Sequence, residues 1–310
     1  MADAQRTPLV TFYVPVYNGA AYLRESLASI SAQTFGDWEC LLIDDHSTDA
    51  SPAILDDACK RDPRFRAYRQ PANLNVANAS NLALRLARGK YLARLDQDDL
   101  AEPTRLAEQV AFMESHPEVD VCGGAMLYFG RENGVASLPA DDGTIKANLL
   151  TGMNNIGNPA STVRTAFLRE HSILNDPRFP LSCDYGMWVD CTLAGGRFAN
   201  LPGVMTRYRT HEGQASVDMV ALQVGVIQAK TRLLLKWFPD LSFAEVQAME
   251  PLLRANAVVF LDRESAARGV AVLRKAMASP RPSVSGEDRA AVEAYLAQRC
   301  ALWQGHLDEA

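Results

Sequence analysis

Three aspartates, Asp96, Asp98 and Asp99, directly follow an apolar run at residues 91–95. The run is typical of a buried strand, and carboxylates crowded at its end repel one another unless a cation lies between them. Oxygen ligands at this spacing suit Mg²⁺ or Mn²⁺, ions that commonly carry a diphosphate. An extended backbone would point Asp96 and Asp98 to one side and Asp99 to the other. The alternative is an acidic strand-to-helix turn in which Asp99 or Thr104 caps the helix.

Alternating strand-like and helix-like segments must position these carboxylates. The first half of the chain predicts strands over residues 9–14, 40–43, 65–68, 91–95 and 119–127, and helices over residues 20–32, 51–60, 76–88 and 104–115. This order is typical of an α/β fold with a mainly parallel sheet that helices cover on both faces. Because ligands bind such sheets at the carboxyl ends of the strands, the polar clusters 17–18, 44–45 and 96–99 are expected to meet in one crevice.

The second half of the chain has a different pattern. Residues 141–216 are less regular and carry more loop signals, whereas the pattern turns helical from residue 217 onward. Helical segments are predicted within residues 222–235, 257–261 and 270–277. We therefore predict a catalytic domain over residues 1–216 and a helical C-terminal extension over residues 217–310.

Composition and charge restrict the possible partners. The chain has 310 residues, of which 48% are hydrophobic and 22% are charged, as is usual for a soluble globular protein. Its net charge of -6 argues against nucleic acid as a partner. No apolar run approaches the ~20 residues that cross a bilayer, and the first eight residues lack the apolar stretch of a signal peptide. The six cysteines show no paired short spacing, so we expect neither disulfides nor a zinc site, and a cytoplasmic location.

An ordered set of short motifs resembles the family 2 glycosyltransferases of the GT-A fold. The set comprises Val-Pro-Val-Tyr-Asn at 14–18, Leu-Ile-Asp-Asp-His-Ser-Thr-Asp at 42–49, the aspartate block at 96–99, Cys-Asp-Tyr at 183–185 and Tyr-Arg-Thr-His-Glu-Gly at 208–213. Each motif alone is weak, but their order along residues 7–216 is specific.

The resemblance implies a metal-dependent, inverting transferase. Such an enzyme uses Mn²⁺ or Mg²⁺ to move a sugar from a nucleotide sugar to a hydroxyl group of a glycan or lipid-linked glycan, and here a UDP-sugar is favoured. It further implies a role in bacterial polysaccharide or surface-glycan synthesis. Relatives that build lipid-linked glycans work close to a membrane, so peripheral association with its inner face is also expected.

The resemblance assigns Pro15, Tyr17, Asn18 and Asp45 to the nucleotide pocket. Tyr17 offers a flat ring to a base, and Asp45 can accept a hydrogen bond from a uracil-type imide N–H. The alternative for Asp45 is a turn or cap residue, because residues 44–49 are rich in the types that favour turns.

Further residues would serve the metal and the diphosphate. The resemblance gives Asp96 a contact with the ribose or the metal, and gives Asp98 the metal itself. The ion would act as a Lewis acid that stabilises the departing nucleoside diphosphate. Arg209 and His211 lie two residues apart after a strand-like segment at 204–208 and can share a face. The resemblance suggests that they hold the diphosphate or the metal, to which a guanidinium fork and a neutral imidazole are suited.

Asp184 is the candidate general base. It opens a predicted helix over residues 185–193, and the matching motif implies that it takes the proton from the acceptor hydroxyl. A carboxylate is a weak base for this task, so the proton must move as the C–O bond forms. Attack opposite the leaving group then inverts the anomeric centre. The alternative is that Asp184 only caps the helix, a role for which Ser182 competes.

The chain departs from the family pattern at four positions. Asn75 stands where glycine is common, Ser80 where arginine is common, Cys183 where glutamate is common and Asn158 where histidine is common. These departures affect the donor more than the fold. They also motivate an alternative function, a nucleotide-sugar-binding protein of the same fold without transferase turnover.

The segment at 224–238 combines cations with apolar residues. Lys230, Arg232 and Lys236 lie near Trp237 and other large apolar side chains. This pattern is compatible with a basic amphipathic face for a membrane surface or a partner. The alternative, which we favour, is a packed helix with a solvated cationic side.

Overall fold

The computed structural model describes residues 7–214, 218–254, 261–280, 284 and 286–309. Within these residues one sheet contains the strands β1 (Val10–Val16), β2 (Trp38–Asp44), β3 (Phe65–Arg69), β4 (Tyr91–Arg94), β5 (Leu100–Ala101), β6 (Val121–Gly130), β7 (Gly134–Ala136), β8 (Thr162–Arg164) and β9 (Phe198–Thr210). The helices are α1 (Leu23–Ser31), α2 (Ser51–Arg61), α3 (Val76–Leu86), α4 (Arg105–Ser115), α5 (Asp142–Leu149), α6 (Thr165–Glu170), α7 (Cys183–Leu193), α8 (Met219–Trp237), α9 (Phe243–Met249), α10 (Arg263–Ala278) and α11 (Gly286–Glu309).

The sheet has a parallel half and a mixed half. Strands β3, β2, β1 and β4 lie side by side and parallel, as the alternating sequence pattern predicts. Beyond β4 the order continues β8, β6, β9, β5, in which β8 is antiparallel to both of its neighbours and β9 is parallel to β6. The parallel half brings the carboxyl ends of β1, β2 and β4 to one edge.

Apolar residues of β1 alternate between the two faces of the sheet, because successive side chains of a strand point to opposite sides. Phe12 and Val14 lie in a core with side chains of α1, α2 and α4. Tyr13 belongs to the core on the other face, which α3, α5, α7 and α8 cover. Helices therefore cover both faces, as predicted.

The C-terminal helices share the second core. Leu233 of α8, Leu273 of α10 and Trp303 of α11 are buried in the same cluster as Tyr13. Nζ of Lys146 in α5 lies 2.8 Å from Oδ2 of Asp288 in α11, and both side chains are buried. The helical extension thus packs directly on the sheet region. The proposed boundary between residues 216 and 217 stays a prediction.

The cations of α8 bear on the two interpretations of segment 224–238. Lys230 is buried and its Nζ lies 2.6 Å from Oε1 of Glu250, while Nη1 of Arg232 lies 2.6 Å from Oδ1 of Asp190. These two cations pair with acids of the same chain, which favours the interpretation as a packed helix, while association with a membrane surface stays a prediction. None of the described helices is long and apolar enough to span a membrane.

Element boundaries differ from the prediction by a few residues. Helix α7 begins at Cys183 rather than 185, and β9 extends from Phe198 to Thr210 rather than covering only 204–208. Pro202 and Gly203 interrupt β9 next to register shifts in its pairing with β6. Because proline and glycine are unfavourable within strands, the sequence does not indicate a strand of this length. The helix predicted at 257–261 falls almost wholly outside the described residues.

Candidate active site

Three loops meet at the carboxyl ends of β1, β2 and β4. The backbone N–H of Tyr17 donates to Oε1 of Gln97 at 3.0 Å, and Nε2 of Gln97 donates to the Tyr17 carbonyl at 3.1 Å. The backbone N–H of Asn18 donates to Oγ of Ser47 at 3.0 Å, and Oδ1 of Asn18 accepts from the N–H of Thr48 at 2.8 Å. The loops that carry the predicted polar clusters therefore meet at one edge of the sheet, and the side chains of Gln97, Asn18 and Ser47 join them.

Gln97 is a site residue that the sequence analysis missed. Its carboxamide lies so close to the preceding loop that a Cβ added to Gly19 would be 2.2 Å from Oε1 of Gln97. Glycine at position 19 is needed for this close approach. Nothing in the sequence around Gln97 indicates that its side chain contacts a loop 80 positions earlier.

The aspartate block is a turn, not an extended strand. The N–H of Asp99 donates to the Asp96 carbonyl at 3.2 Å, so the predicted alternation along an extended backbone is wrong. Asp99 nevertheless points inward and is fully buried, while Asp96 and Asp98 remain partly exposed. Oδ1 of Asp99 accepts from the N–H of Arg209 at 2.8 Å, and Thr104 makes no capping hydrogen bond with its side chain. The block is therefore a turn, as the alternative predicts, and Thr104 is the N-cap residue of α4 without a capping hydrogen bond from its side chain.

Arg209 and His211 share a face, as their spacing predicts, and both contact Asp98. Nε2 of His211 lies 2.9 Å from Oδ2 of Asp98, and Nε of Arg209 donates to the Asp98 carbonyl at 2.9 Å. Nη2 of Arg209 also donates to Oε2 of Glu25 at 2.6 Å. Strand β9 thus brings a cation and an imidazole to the turn after β4.

The carboxylates of this turn are short of positive charge. Burial and the charge of Asp96 raise the pKa of Asp98. Burial and the charges of Asp96 and Asp98 raise the pKa of Asp99 well above its ordinary value. Oδ2 of Asp99 is buried and has no hydrogen-bond partner among the described residues. A bound cation would relieve this repulsion.

Asp98 and His211 fit a shared divalent cation, since one carboxylate oxygen and one imidazole nitrogen already lie side by side. Asp96 is oriented differently, because its Oδ1 accepts from Nε of Arg94 at 2.8 Å. Across the described ranges, no three histidine, cysteine, aspartate or glutamate side chains are arranged to hold a metal ion. The assignment of Asp96 to the metal stays a prediction.

The predicted nucleotide pocket contains both exposed and buried residues. Tyr17 is 46% exposed, so its ring is accessible to a base, whereas Pro15 is buried within β1. Asn18 has a positive φ of 47° and joins two loops through its side chain. These positions are compatible with the nucleotide pocket, which stays a prediction.

Asp45 organises the loop before α3. It is buried, and its two oxygens accept from the backbone N–H groups of Leu74 and Asn75 at 2.7 and 2.8 Å and from Nε2 of Gln70 at 2.6 Å. In this structure Asp45 therefore makes the contacts of a turn residue, as the alternative interpretation predicts. Its contact with a base stays a prediction.

The departure at Asn75 has a structural explanation. Asn75 has φ 75° and ψ 167°, a conformation that glycine adopts freely and that is strained for every other residue. Its Oδ1 also accepts from the N–H groups of Ala77 and Asn78 and so caps α3. Asparagine thus keeps the loop conformation of a glycine and adds a helix cap.

Asp184 lies in the first turn of α7, and Ser182 rather than Asp184 is the N-cap residue. Its Oδ1 accepts from the N–H of Tyr185 at 2.8 Å and its Oδ2 from Nδ2 of Asn154 at 2.7 Å. Burial raises the pKa of the Asp184 carboxyl, while the positive charge of Arg94 acts in the opposite direction. The capping alternative for Asp184 is therefore wrong.

Two further polar residues of the site were not predicted, Asn154 and Arg94. Each contacts a predicted carboxylate, Asp184 and Asp96 respectively. Cys183, next to Asp184, carries no charge, because burial raises the pKa of its thiol to about 12. The glutamate that is common at this position is therefore not replaced by another acid.

Solved structures define the class of fold. S. aureus TarS (residues 1–349), solved in complex with UDP-GlcNAc, superposes with a TM-score of 0.65 at 19% identity and covers 96% of this chain and 92% of that one. The mannosyltransferase PcManGT of Pyrobaculum calidifontis, solved with GDP-Man and Mn²⁺, superposes with a TM-score of 0.56 at 18% identity and covers 96% and 87%. The predicted GT-A-type α/β fold with C-terminal helices is confirmed.

Sequence comparison defines the family. The model of "Glycosyl transferase family 2" matches residues 11–163. An uncharacterized glycosyltransferase of Haemophilus influenzae is 30% identical over 222 residues, which are 68% of this chain and 68% of that protein. The chain belongs to glycosyltransferase family 2, as its motifs predict.

Proposed function

We propose that the chain is an inverting glycosyltransferase that moves a sugar from a nucleotide sugar, with a UDP-sugar favoured, to a hydroxyl group of a glycan or lipid-linked glycan. The observation that carries the proposal is the meeting of Asp98, His211 and Arg209 at one edge of the sheet, while the half-buried Asp184 interacts electrostatically with Arg94 and Asp96 next to them. Family membership supports the reaction class, and the nucleotide sugars bound by TarS and PcManGT support the donor class.

Donor binding falls to the loops after β1, β2 and β4. The exposed ring of Tyr17 would stack on the base, with Asn18 and Asp45 shaping the pocket around it. Asp98 and His211, together with Asp96, would hold Mn²⁺ or Mg²⁺. When bound, this cation would neutralise the diphosphate as it leaves. Arg209 adds a guanidinium whose charge favours the same anion.

Asp184 would act as the general base. Its raised pKa makes the carboxylate a stronger proton acceptor than an ordinary aspartate, and the amide of Asn154 fixes the orientation of one oxygen. The proton of the acceptor hydroxyl would move to this carboxylate as the new C–O bond forms. Attack from the side opposite the diphosphate would invert the anomeric centre.

A role in bacterial polysaccharide or surface-glycan synthesis follows from the acceptor class that we propose. The enzyme would work in the cytoplasm, and a lipid-linked acceptor would bring it to the inner face of the membrane. The alternative, a nucleotide-sugar-binding protein without turnover, predicts donor binding with neither transfer nor hydrolysis across a broad acceptor panel.

Replacement of Asp184 tests the proposed function most simply. We expect Asp184→Asn to lower kcat about 10²–10⁴-fold, the usual contribution of a general base, with nucleotide affinity unchanged. Asp190→Asn on the same helix is the matched control, since Asp190 pairs with Arg232 and has no place in the proposed site. Full turnover of Asp184→Asn on an acceptor that the wild type uses would show that another group takes the proton.

A further inference from the structure

A buried guanidinium, that of Arg94, contacts the aspartate turn of the candidate site. Arg94 is the last residue of β4, where it pairs in register with Tyr13 of β1, and its side chain is 7% exposed. Nε of Arg94 donates to Oδ1 of Asp96 at 2.8 Å. The strand therefore fixes a positive charge at the point where the aspartate turn begins.

Small and aromatic side chains make room for this guanidinium. Nη1 of Arg94 donates to Oγ of Ser80 at 3.4 Å, and the hydroxyl of Ser80 in turn donates to the Val76 carbonyl at 2.8 Å. The guanidinium carbon lies 5.9 Å from the centre of the Tyr13 ring, within range of a cation–π contact. A larger residue at position 80 would take the space that Arg94 uses.

The charge of Arg94 also acts on Asp184. The charged groups that face Asp184 from neighbouring elements are Arg94 of β4 and Asp96 of the turn that follows. Its other neighbours are neutral, namely the amide of Asn154 and the thiol of Cys183. Arg94 thus contacts Asp96 and also acts electrostatically on Asp184, two carboxylates whose charges repel each other.

We propose that Arg94 is a positioning residue that orients Asp96 for the donor and supplies the positive charge that keeps Asp184 ionised as the base. The inference rests on the proposed function and deepens it. The effects on Asp96 and on Asp184 can be tested separately, because they depend on different properties of the Arg94 side chain. Orientation of Asp96 needs the directed Nε–H of a guanidinium, whereas an effect on Asp184 needs only a positive charge.

Three variants test this inference: Arg94→Met, Arg94→Lys and Arg88→Met. Arg88→Met is the matched control, because Nη2 of Arg88 pairs with Oε2 of the buried Glu39 at 2.6 Å but Arg88 precedes β4, at the end of the strand opposite the crevice. The measurements are donor KM, kcat and the pH profile of kcat/KM in the transferase reaction, with nucleotide affinity from calorimetry.

We expect Arg94→Met to raise the donor KM about 10-fold or more, the effect of losing a hydrogen bond to a charged group. It should also move the acidic limb of kcat/KM upward by about 1 pH unit, since loss of the nearby cation raises the pKa of Asp184. Arg94→Lys should raise the donor KM but leave the acidic limb of the kcat/KM profile close to that of the wild type. Arg88→Met should change neither.

The inference would be overturned if Arg94→Met kept the donor KM and the acidic limb of kcat/KM of the wild type. The proposed transferase function would then remain intact. If Arg94→Met does not fold, Arg94→Lys decides the matter, because a wild-type donor KM in that variant excludes the orienting role. A wild type that binds no nucleotide and transfers no sugar would contradict the proposed function, and this inference with it.

Discussion

At the residue scale, one neutral amide joins the loops on which donor binding depends. Gln97 accepts from and donates to the backbone of Tyr17, so it sets the distance between the aspartate turn and the exposed tyrosine ring. Gly19 makes this contact possible, because any side chain at position 19 would overlap the carboxamide.

We predict that Gly19→Ala weakens nucleotide binding several-fold with little loss of stability. The new methyl group would displace Gln97, whose flexible side chain can move aside, and Tyr17 would lose its anchor. Calorimetry and thermal unfolding measure the two effects. Gly36→Ala is the control, since a Cβ at position 36 meets nothing within 4 Å. Unchanged nucleotide affinity in Gly19→Ala would show that the contact is not used in donor binding.

The sequence points to the carboxylates of the candidate site but not to the residues that hold them. Asp96, Asp98 and Asp184 stand out in the sequence because carboxylates at the end of a strand or the start of a helix need a reason to be there. Gln97 and Asn154 are common neutral residues whose partners lie 80 and 30 positions away. No local pattern marks such a contact, because only the fold brings its two ends together.

At the element scale, the start of α3 shows how one side chain fixes a loop. Asn75 caps the helix with Oδ1, donates from Nδ2 to the Pro177 carbonyl at 3.0 Å and gives its backbone N–H to Asp45. Long elements such as α3 and β1 were predicted to within a few residues. Strands β5 and β8 have two and three residues, too few to show a period, so only pairing with distant strands reveals them.

Replacement of Asn75 should separate conformation from capping. We expect Asn75→Ala to lower the free energy of unfolding by about 0.5–2 kcal/mol, because alanine loses the cap and is strained like asparagine at φ 75° and ψ 167°. Asn75→Gly should lower it by less than about 1 kcal/mol, since glycine adopts this conformation freely. Urea unfolding measures both values. An alanine variant as stable as the glycine variant would contradict this account of the loop.

At the scale of the whole molecule, the C-terminal helices are part of the same packed structure as the sheet. Trp303 of α11 donates from Nε1 to the Leu252 carbonyl at 3.0 Å, and Lys146 of α5 pairs with Asp288. The sequence predicted these helices from their spacing. It could not predict where they pack, because the apolar faces of long helices do not identify their partners.

Loss of the Lys146 charge tests this packing. Lys146→Met would remove the cation that the buried Asp288 shares with the half-buried Asp142, and we expect the free energy of unfolding to fall by about 3–5 kcal/mol. The whole chain should still unfold in one transition that near-UV and far-UV signals report together. Lys60→Met on the exposed side of α2 is the control. Separate transitions for the two regions would mean that the extension is an independent unit.

The central claim is that the aspartate turn serves a nucleotide diphosphate together with a metal ion. Calorimetric titration of UDP, GDP and dTDP, each with Mn²⁺ and with EDTA, tests it directly on the wild type, Asp98→Ala and the exposed control Asp56→Ala. We predict metal-dependent binding of UDP that Asp98→Ala abolishes and Asp56→Ala retains. Binding of none of the three nucleotides, or equal affinity in EDTA and in Asp98→Ala, would contradict the claim and leave the turn a structural feature of the fold.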